Sequence, residues 1–183
     1  MTDETKPEVL TIGHSTRTLE DFIRILKAHG VLLVIDIRTV PRSRHNPQFN
    51  RDSLPEALRA EGIDCMHMRG LGGLRHPRAD SSNRGWRNAS FRGFADYMQT
   101  PEFEVNLEAL IAMAAQMRIA LMCAEVLPWR CHRSLIADAL TVRGVRVEHI
   151  LTEEGRRPHT VTPFARVDGT RVTYPAAPTA ETP

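Results

Sequence analysis

The chain has 183 residues, with 24 Lys and Arg against 22 Asp and Glu and a formal charge of +2, which gives room for one well-buried core and too little for two ordinary domains. So small a charge does not by itself mark a nucleic-acid binder, and three cysteines, an odd number, argue against a disulfide framework. No apolar run near the start resembles a signal peptide, and the stretches 31–35 and 109–115 are far shorter than a membrane span, so a cytoplasmic protein without membrane association is expected.

Residues 1–8 are polar and read as a disordered N-terminus, after which Val9–Ile12 is a short buried strand ending in Gly13-His14-Ser15. Leu19, Phe22, Ile23 and Leu26 recur at helical spacing, with Thr18 and Asp21 as a start signal and Gly30 as the stop. The run from Val31 to Ile37 is apolar and β-branched except at Asp36, the pattern of a strand buried on both faces in a parallel sheet. A basic connection from Arg38 to Arg51 leads to a second helix, where Ser53 and Glu56 form a capping-box pattern and Gly62 marks the end. Ile63–Met68 is the third strand, and the stretch from Arg69 to about Ser90 has no clear period. A short helix around Phe91 to Met98, a longer one capped at Thr100-Pro101 and running to about Met117, and a fourth strand at Ile119–Cys123 follow. A helix from Cys131 or His132 to about Arg143 and a fifth strand at Val145–Ile150 complete the core, and residues 9–150 form a single domain. Within the tail, 151–183, the segments 161–167 and 170–174 flank Asp168-Gly169, a hairpin-turn dipeptide, before a disordered end. The fold class is therefore α/β, a Rossmann-like three-layer domain with a mostly parallel five-stranded sheet and a small C-terminal β-hairpin.

Such sheets put ligands beyond the carboxyl ends of their strands, and the polar clusters fall there. The main one is Cys123-Ala-Glu125 followed by Cys131-His-Arg133, running from a strand end into a helix start. Free N–H groups at that start are expected to lower the pKa of Cys131 and attract an anion. Cys131 or Cys123 then serves as thiol, His132 and Glu125 move protons, and Arg133 or Arg130 holds the anion. The alternatives are a metal site drawn from Cys123, Cys131 and His132, with a spacing that fits no standard zinc pattern, or two cysteines that are simply core residues. Cys123 and Arg130 imitate the cysteine-to-arginine loop of rhodaneses and cysteine phosphatases with one residue too many.

Asp36, Arg38, Ser43 and Arg44 form a second cluster, in which the buried aspartate needs an arginine or backbone N–H partner and Arg38 acts as an anion clamp or in a structural ion pair. His14 and Ser15 are placed to contact phosphate or carry a proton, and Gly72 and Gly73 lie in the turn after the third strand. The lone Gly13 is no dinucleotide fingerprint, so no dinucleotide cofactor is expected. Arg69, Arg75, Arg78, Arg84, Arg87 and Arg92, interleaved with Trp86 and Phe91, suit a nucleic-acid backbone, a lid over an anionic small molecule, or a mobile solvated loop.

Ile12-Gly-His-Ser15, Asp36-Ile-Arg38 with Pro41 and Ser43, Pro47-Gln-Phe-Asn50, Leu71-Gly-Gly73 and Met122-Cys-Ala-Glu125 with Cys131-His-Arg133 together resemble the bacterial and archaeal family called domain of unknown function 488, over about 9–150. The resemblance implies an intracellular α/β protein with the Cys-His-Arg signature as its hallmark and carries no settled activity. Some relatives bear labels linking them to DNA repair or iron–sulfur assembly. The expectation is thus an enzyme binding an anionic, phosphate-bearing or nucleotide-like ligand; a nucleic-acid-binding module and a metal-dependent hydrolase are the alternatives.

Overall fold

The computed structural model describes residues 6–179; the ends expected to be disordered lie in part outside them. Five strands, β1 (Glu8–Gly13), β2 (Leu33–Asp36), β3 (Asp64–His67), β4 (Ile119–Cys123) and β5 (Arg146–Ile150), are mutually parallel. A sixth, β6 (Arg156–Pro158), pairs antiparallel with β5, giving the order β3-β2-β4-β1-β5-β6. That departs from the 3-2-1-4-5 order of the Rossmann sheet, because β4 inserts between β2 and β1. The sixth strand lies in the stretch read as tail, and Pro158 is tolerated there because an edge strand has no outer neighbour needing its N–H.

Helices α1 (Leu19–Ala28) and α2 (Leu54–Ala60) cover one face, packing Phe22, Leu26, Leu54 and Leu58 on Leu10, Ile12, Val34 and Met122. The other face carries α3 (Ala89–Tyr97), α4 (Pro101–Ala114) and α5 (Arg133–Thr141), which bury Phe94, Phe103, Leu107 and Leu135 against Ile35, Leu121 and Val147. Three layers are therefore present. Thr18 Oγ1 caps α1 by accepting from Asp21 N at 3.1 Å. Ser53 does not cap α2; its Oγ donates to Pro47 O at 3.1 Å instead. The small hairpin is formed by β7 (Arg166–Asp168) and β8 (Arg171–Thr173), with Gly169-Thr170 as the turn rather than Asp168-Gly169, since Asp168 itself pairs with Arg171.

The C-terminal segment is part of the core. Val172 and Tyr174 are buried, and the Tyr174 hydroxyl donates to Asp138 Oδ2 at 2.7 Å. Asp138 Oδ1 also accepts from His159 Nε2 at 2.7 Å and Thr162 N at 3.0 Å. His159 Nδ1 meets His149 Nε2 at 2.9 Å, and His149 Nδ1 meets Thr11 Oγ1 at 2.6 Å. This chain satisfies buried polar atoms that would each otherwise cost about 1–3 kcal/mol, and it ties residues after β5 to α5 and β1.

Candidate active site

The register places Gly13 beside Cys123, and Asp36 beside Met122 and His67, so four parallel strands end along one edge. The helix after β1 lies on one face and the helix after β4 on the other, which opens a crevice between these adjacent strands at the switch in topology. Gly13 lets β1 approach the loop after β4: a Cβ there would lie 2.0 Å from Glu125 O. His14 N and Ser15 N donate to Cys123 O and Ala124 O at 2.9 and 3.0 Å, extending the parallel pairing into the site.

Two sulfurs form the floor. Cys131 Sγ lies 3.0 Å from Cys123 Sγ, and Arg133 Nη1 donates to Cys123 Sγ at 3.2 Å. Arg133 is 1% exposed; Nη2 donates to Val126 O, Nε has no partner, and among the described residues no carboxylate pairs with it. A guanidinium cannot shed its proton, and among the groups that touch it Cys123 Sγ is the one able to carry a counter-charge. Burial and the Glu125 charge oppose ionisation of Cys123, but the Cys131 S–H donor, the Arg133 charge and a backbone hydrogen bond at Glu125 outweigh them and hold this thiol below its ordinary value. The donating role and burial push Cys131 well above it. This direction runs against the expectation that Cys131 is the activated thiol: the Arg133 N–H, 3.5 Å from Cys131 Sγ, favours its thiolate, but the hydrogen bond to Cys123 and burial outweigh it. Cys123 also has the lateral cation.

Around the sulfurs stand neutral imidazoles. His132 Nε2 donates to Leu71 O at 2.8 Å, leaving Nδ1 as an acceptor 3.6 Å from Cys131 Sγ. Desolvation pulls its pKa down to about 4. His14 Nδ1 donates to Ser15 O at 2.8 Å, its ring stacks on Phe49 with centroids 4.3 Å apart, and burial lowers its pKa. Arg38 Nη1 lies 3.4 Å from His14 Nε2. Its Nε and Nη2 grip both oxygens of Asp36 at 2.9 and 2.7 Å, and Nη2 also donates to Phe49 O at 2.6 Å.

A cavity of about 560 Å³ opens over this floor, lined by His14, Ser15, Arg38, Ser43, Gly73, Cys123, Glu125, Cys131 and His132 among others. With Arg130, also on its wall, ten site residues named from sequence thus meet. Four do not line it: Asp36 stands behind Arg38, Gly72 packs on Thr39, Arg44 is exposed, and Arg133 lies beneath the sulfurs. Of the two expected anion clamps, Arg133 therefore lies away from the cavity wall, and Arg38, which lines it, spends Nε and Nη2 on Asp36 and Phe49 O and turns Nη1 toward His14. Arg130, the other arginine expected to hold the anion, lines the cavity together with Arg42, and among the described residues their guanidinium groups make no hydrogen bond or ion pair. Arg42 carries no role in the sequence reading of the basic connection, and Phe49, quoted there only within Pro47–Asn50, proves to be the ring on which His14 stacks. Cys123, Cys131 and His132 do not assemble as a metal centre: among the described residues no three His, Cys, Asp or Glu side chains are arranged to hold an ion. The cation against Cys123 is a guanidinium.

Gly73 is a spacer for His132, because a Cβ on it would lie 2.3 Å from His132 Nδ1. Gly73→Ala is expected to displace that ring and lower the unfolding free energy by about 1–3 kcal/mol, read from urea denaturation. The arginine-rich connection, exposed along much of its length, is anchored at several points: Asp96 accepts from Arg78 N, Ser81 Oγ and Asn83 Nδ2, and Arg75 lies 3.5 Å above the Tyr97 ring.

Among the described residues no helix is long and apolar enough to cross a membrane. Neither any curated protein nor any solved structure matches the chain. The family model described as "Domain of unknown function DUF488" matches residues 18–140, from the cap of α1 into α5, and so takes in all three cysteines, His132 and Arg133. On that match, the chain belongs to the DUF488 family.

Proposed function

We propose that the protein is a thiol-dependent enzyme acting on a small anionic ligand, phosphate-bearing or nucleotide-like, with Cys123 as the nucleophile. The observation that carries this reading is the Cys123 sulfur held between the Cys131 thiol and the buried Arg133 guanidinium at the floor of an open cavity. A cation and an S–H donor on one sulfur favour the thiolate, which is the nucleophilic form. Glu125 at the cavity wall is the nearby carboxylate for proton transfer, and Arg42 and Arg130 supply uncommitted positive charge for an anion. A nucleic-acid surface has less support: Arg75, Arg84 and Arg92 donate to backbone carbonyls of their own chain and Arg78 pairs with Asp80.

Iodoacetamide at pH 7 tests the reading, with Cys65 as the internal standard, since burial and Asp36 push its thiol up to about 12. Cys123 is expected to alkylate roughly tenfold or more faster than Cys65, and millimolar phosphate or a nucleoside monophosphate to slow it. Equal, slow rates at all three cysteines overturn the nucleophile.

A further inference from the structure

Building on the reading of Cys123 as a thiolate, we propose that Cys123 and Cys131 are a redox pair that exchanges with small anionic disulfides. The two sulfurs are 3.0 Å apart, so a bond of about 2.05 Å needs closure by about 1 Å. Both residues line the same cavity, at about 560 Å³ within the range of small-ligand pockets. The third cysteine, Cys65, packs with the α1–α2 face and takes no part, which accounts for the odd number. An anionic partner is favoured by the cavity wall, where Arg42 and Arg130 stand unpaired against Glu125 while Asp36 cancels Arg38.

The step balances with the disulfide RSSR as oxidant. Cys123 thiolate attacks one sulfur, the S–S bond of RSSR breaks, and RS⁻ leaves with the electron pair. Cys131 then attacks Cys123 Sγ, displacing the second RS⁻. Its proton passes to the leaving thiolate by way of His132 Nδ1, which faces it at 3.6 Å with the other ring nitrogen held by Leu71 O. The products are the Cys123–Cys131 disulfide, one RSH and one RS⁻. Two electrons have moved from the pair to RSSR.

Closing the bond takes from Arg133 its counter-charge and leaves a guanidinium buried without an anion. The reduced form is therefore the favoured one, so this disulfide is a labile, oxidising one that small thiols readily reduce. Arg133→Met removes that bias and is expected to shift the pair's equilibrium with glutathione toward the disulfide by about tenfold, or about 30 mV.

The test uses the full reduced chain, glutathione disulfide as the anionic probe and cystamine as the cationic one, with acid quenching and peptide mass mapping. Wild type is expected to yield a Cys123–Cys131 link with Cys65 free, faster with glutathione disulfide than with cystamine at low salt, and the two rates to converge at high salt. Cys131→Ser, which keeps a donor beside Cys123, is expected to stop at a single glutathione adduct on Cys123. Should that variant fail to fold, a substoichiometric pulse on wild type locates the first adduct instead. Fast iodoacetamide alkylation of Cys123 with no internal disulfide overturns the redox pair and leaves the nucleophile standing; slow alkylation together with no disulfide overturns both. Equal rates for the two probes at low salt overturn the anionic preference.

Discussion

Cys123→Ala is expected to destabilise the protein by about 3–5 kcal/mol at pH 7.5, far more than the removal of one small side chain costs, because it strands a buried charge. Arg133 is 1% exposed, has no carboxylate partner among the described residues, and meets Cys123 Sγ at 3.2 Å. Without that sulfur the guanidinium keeps its contact with Val126 O and nothing that carries negative charge. Arg133→Met, of similar bulk, removes the charge instead, and Cys123 can then simply hold its proton. Its expected cost is within about 1.5 kcal/mol, as for a volume-conserving exchange. The double variant Cys123→Ala with Arg133→Met is expected to recover most of the loss, giving a coupling energy of about 2–3 kcal/mol in a double-mutant cycle by urea denaturation under reductant. Strict additivity removes the thiolate–guanidinium pair from the account of this fold.

Why the pair escaped the sequence is instructive. Strand ends are legible because β4 is an unbroken apolar run that stops at Cys123, and because Asp36 stands out in β2. The turns that follow are therefore assignable to one edge of a parallel sheet, and ten of the residues so assigned do line one cavity. Lateral order is another matter. Hydrophobic period reports which residues are buried in a strand and says nothing about which strand lies beside it, so the insertion of β4 between β2 and β1 was not readable. The partners of each group follow from lateral order. Arg133 read as an anion clamp since a charged residue at a helix start is ordinarily exposed, whereas here α5 sinks its first turn beneath the sulfurs. Strand β6 is illegible for a related reason: Arg156-Arg157-Pro158 is exposed and carries no apolar alternation. Asp138 lies among Leu135, Ile136, Ala137, Ala139 and Leu140 in α5, a signal akin to Asp36 in β2, but its partners His159 and Tyr174 lie in the segment read as tail.

That buried histidine chemistry sets the second large expected effect, a loss of about 3–4 kcal/mol of stability when the pH falls from 7 to 5. Desolvation pulls His132 down to about 4 and His149 to about 3, against 6.5 for the ordinary imidazole. Between those values the unfolded chain binds a proton that the folded chain refuses, so stability rises with pH there and falls on acidification. At pH 5 each residue accounts for about 2 kcal/mol, since one pH unit of such a gap is worth 1.36 kcal/mol. Cys123 acts in the same direction higher up: its lowered pKa gives stability that is fully present above the ordinary thiol value and lost as pH falls through the folded one. Protonating His149 would place a cation near His159, Arg133 and Arg157, with Asp138 as the acid that opposes them. Protonating His132 would place one beside Arg133 and turn its Nδ1 acceptor into a donor toward Cys131. Urea midpoints measured from pH 5 to 8 test this, and His149→Gln is expected to remove about half of the pH 7-to-5 loss. A flat profile over that range would mean that solvent reaches these rings and that they are not held neutral. Because His132 also faces Cys131, its protonation is expected to slow closure of the sulfur pair below about pH 5 even where the fold survives.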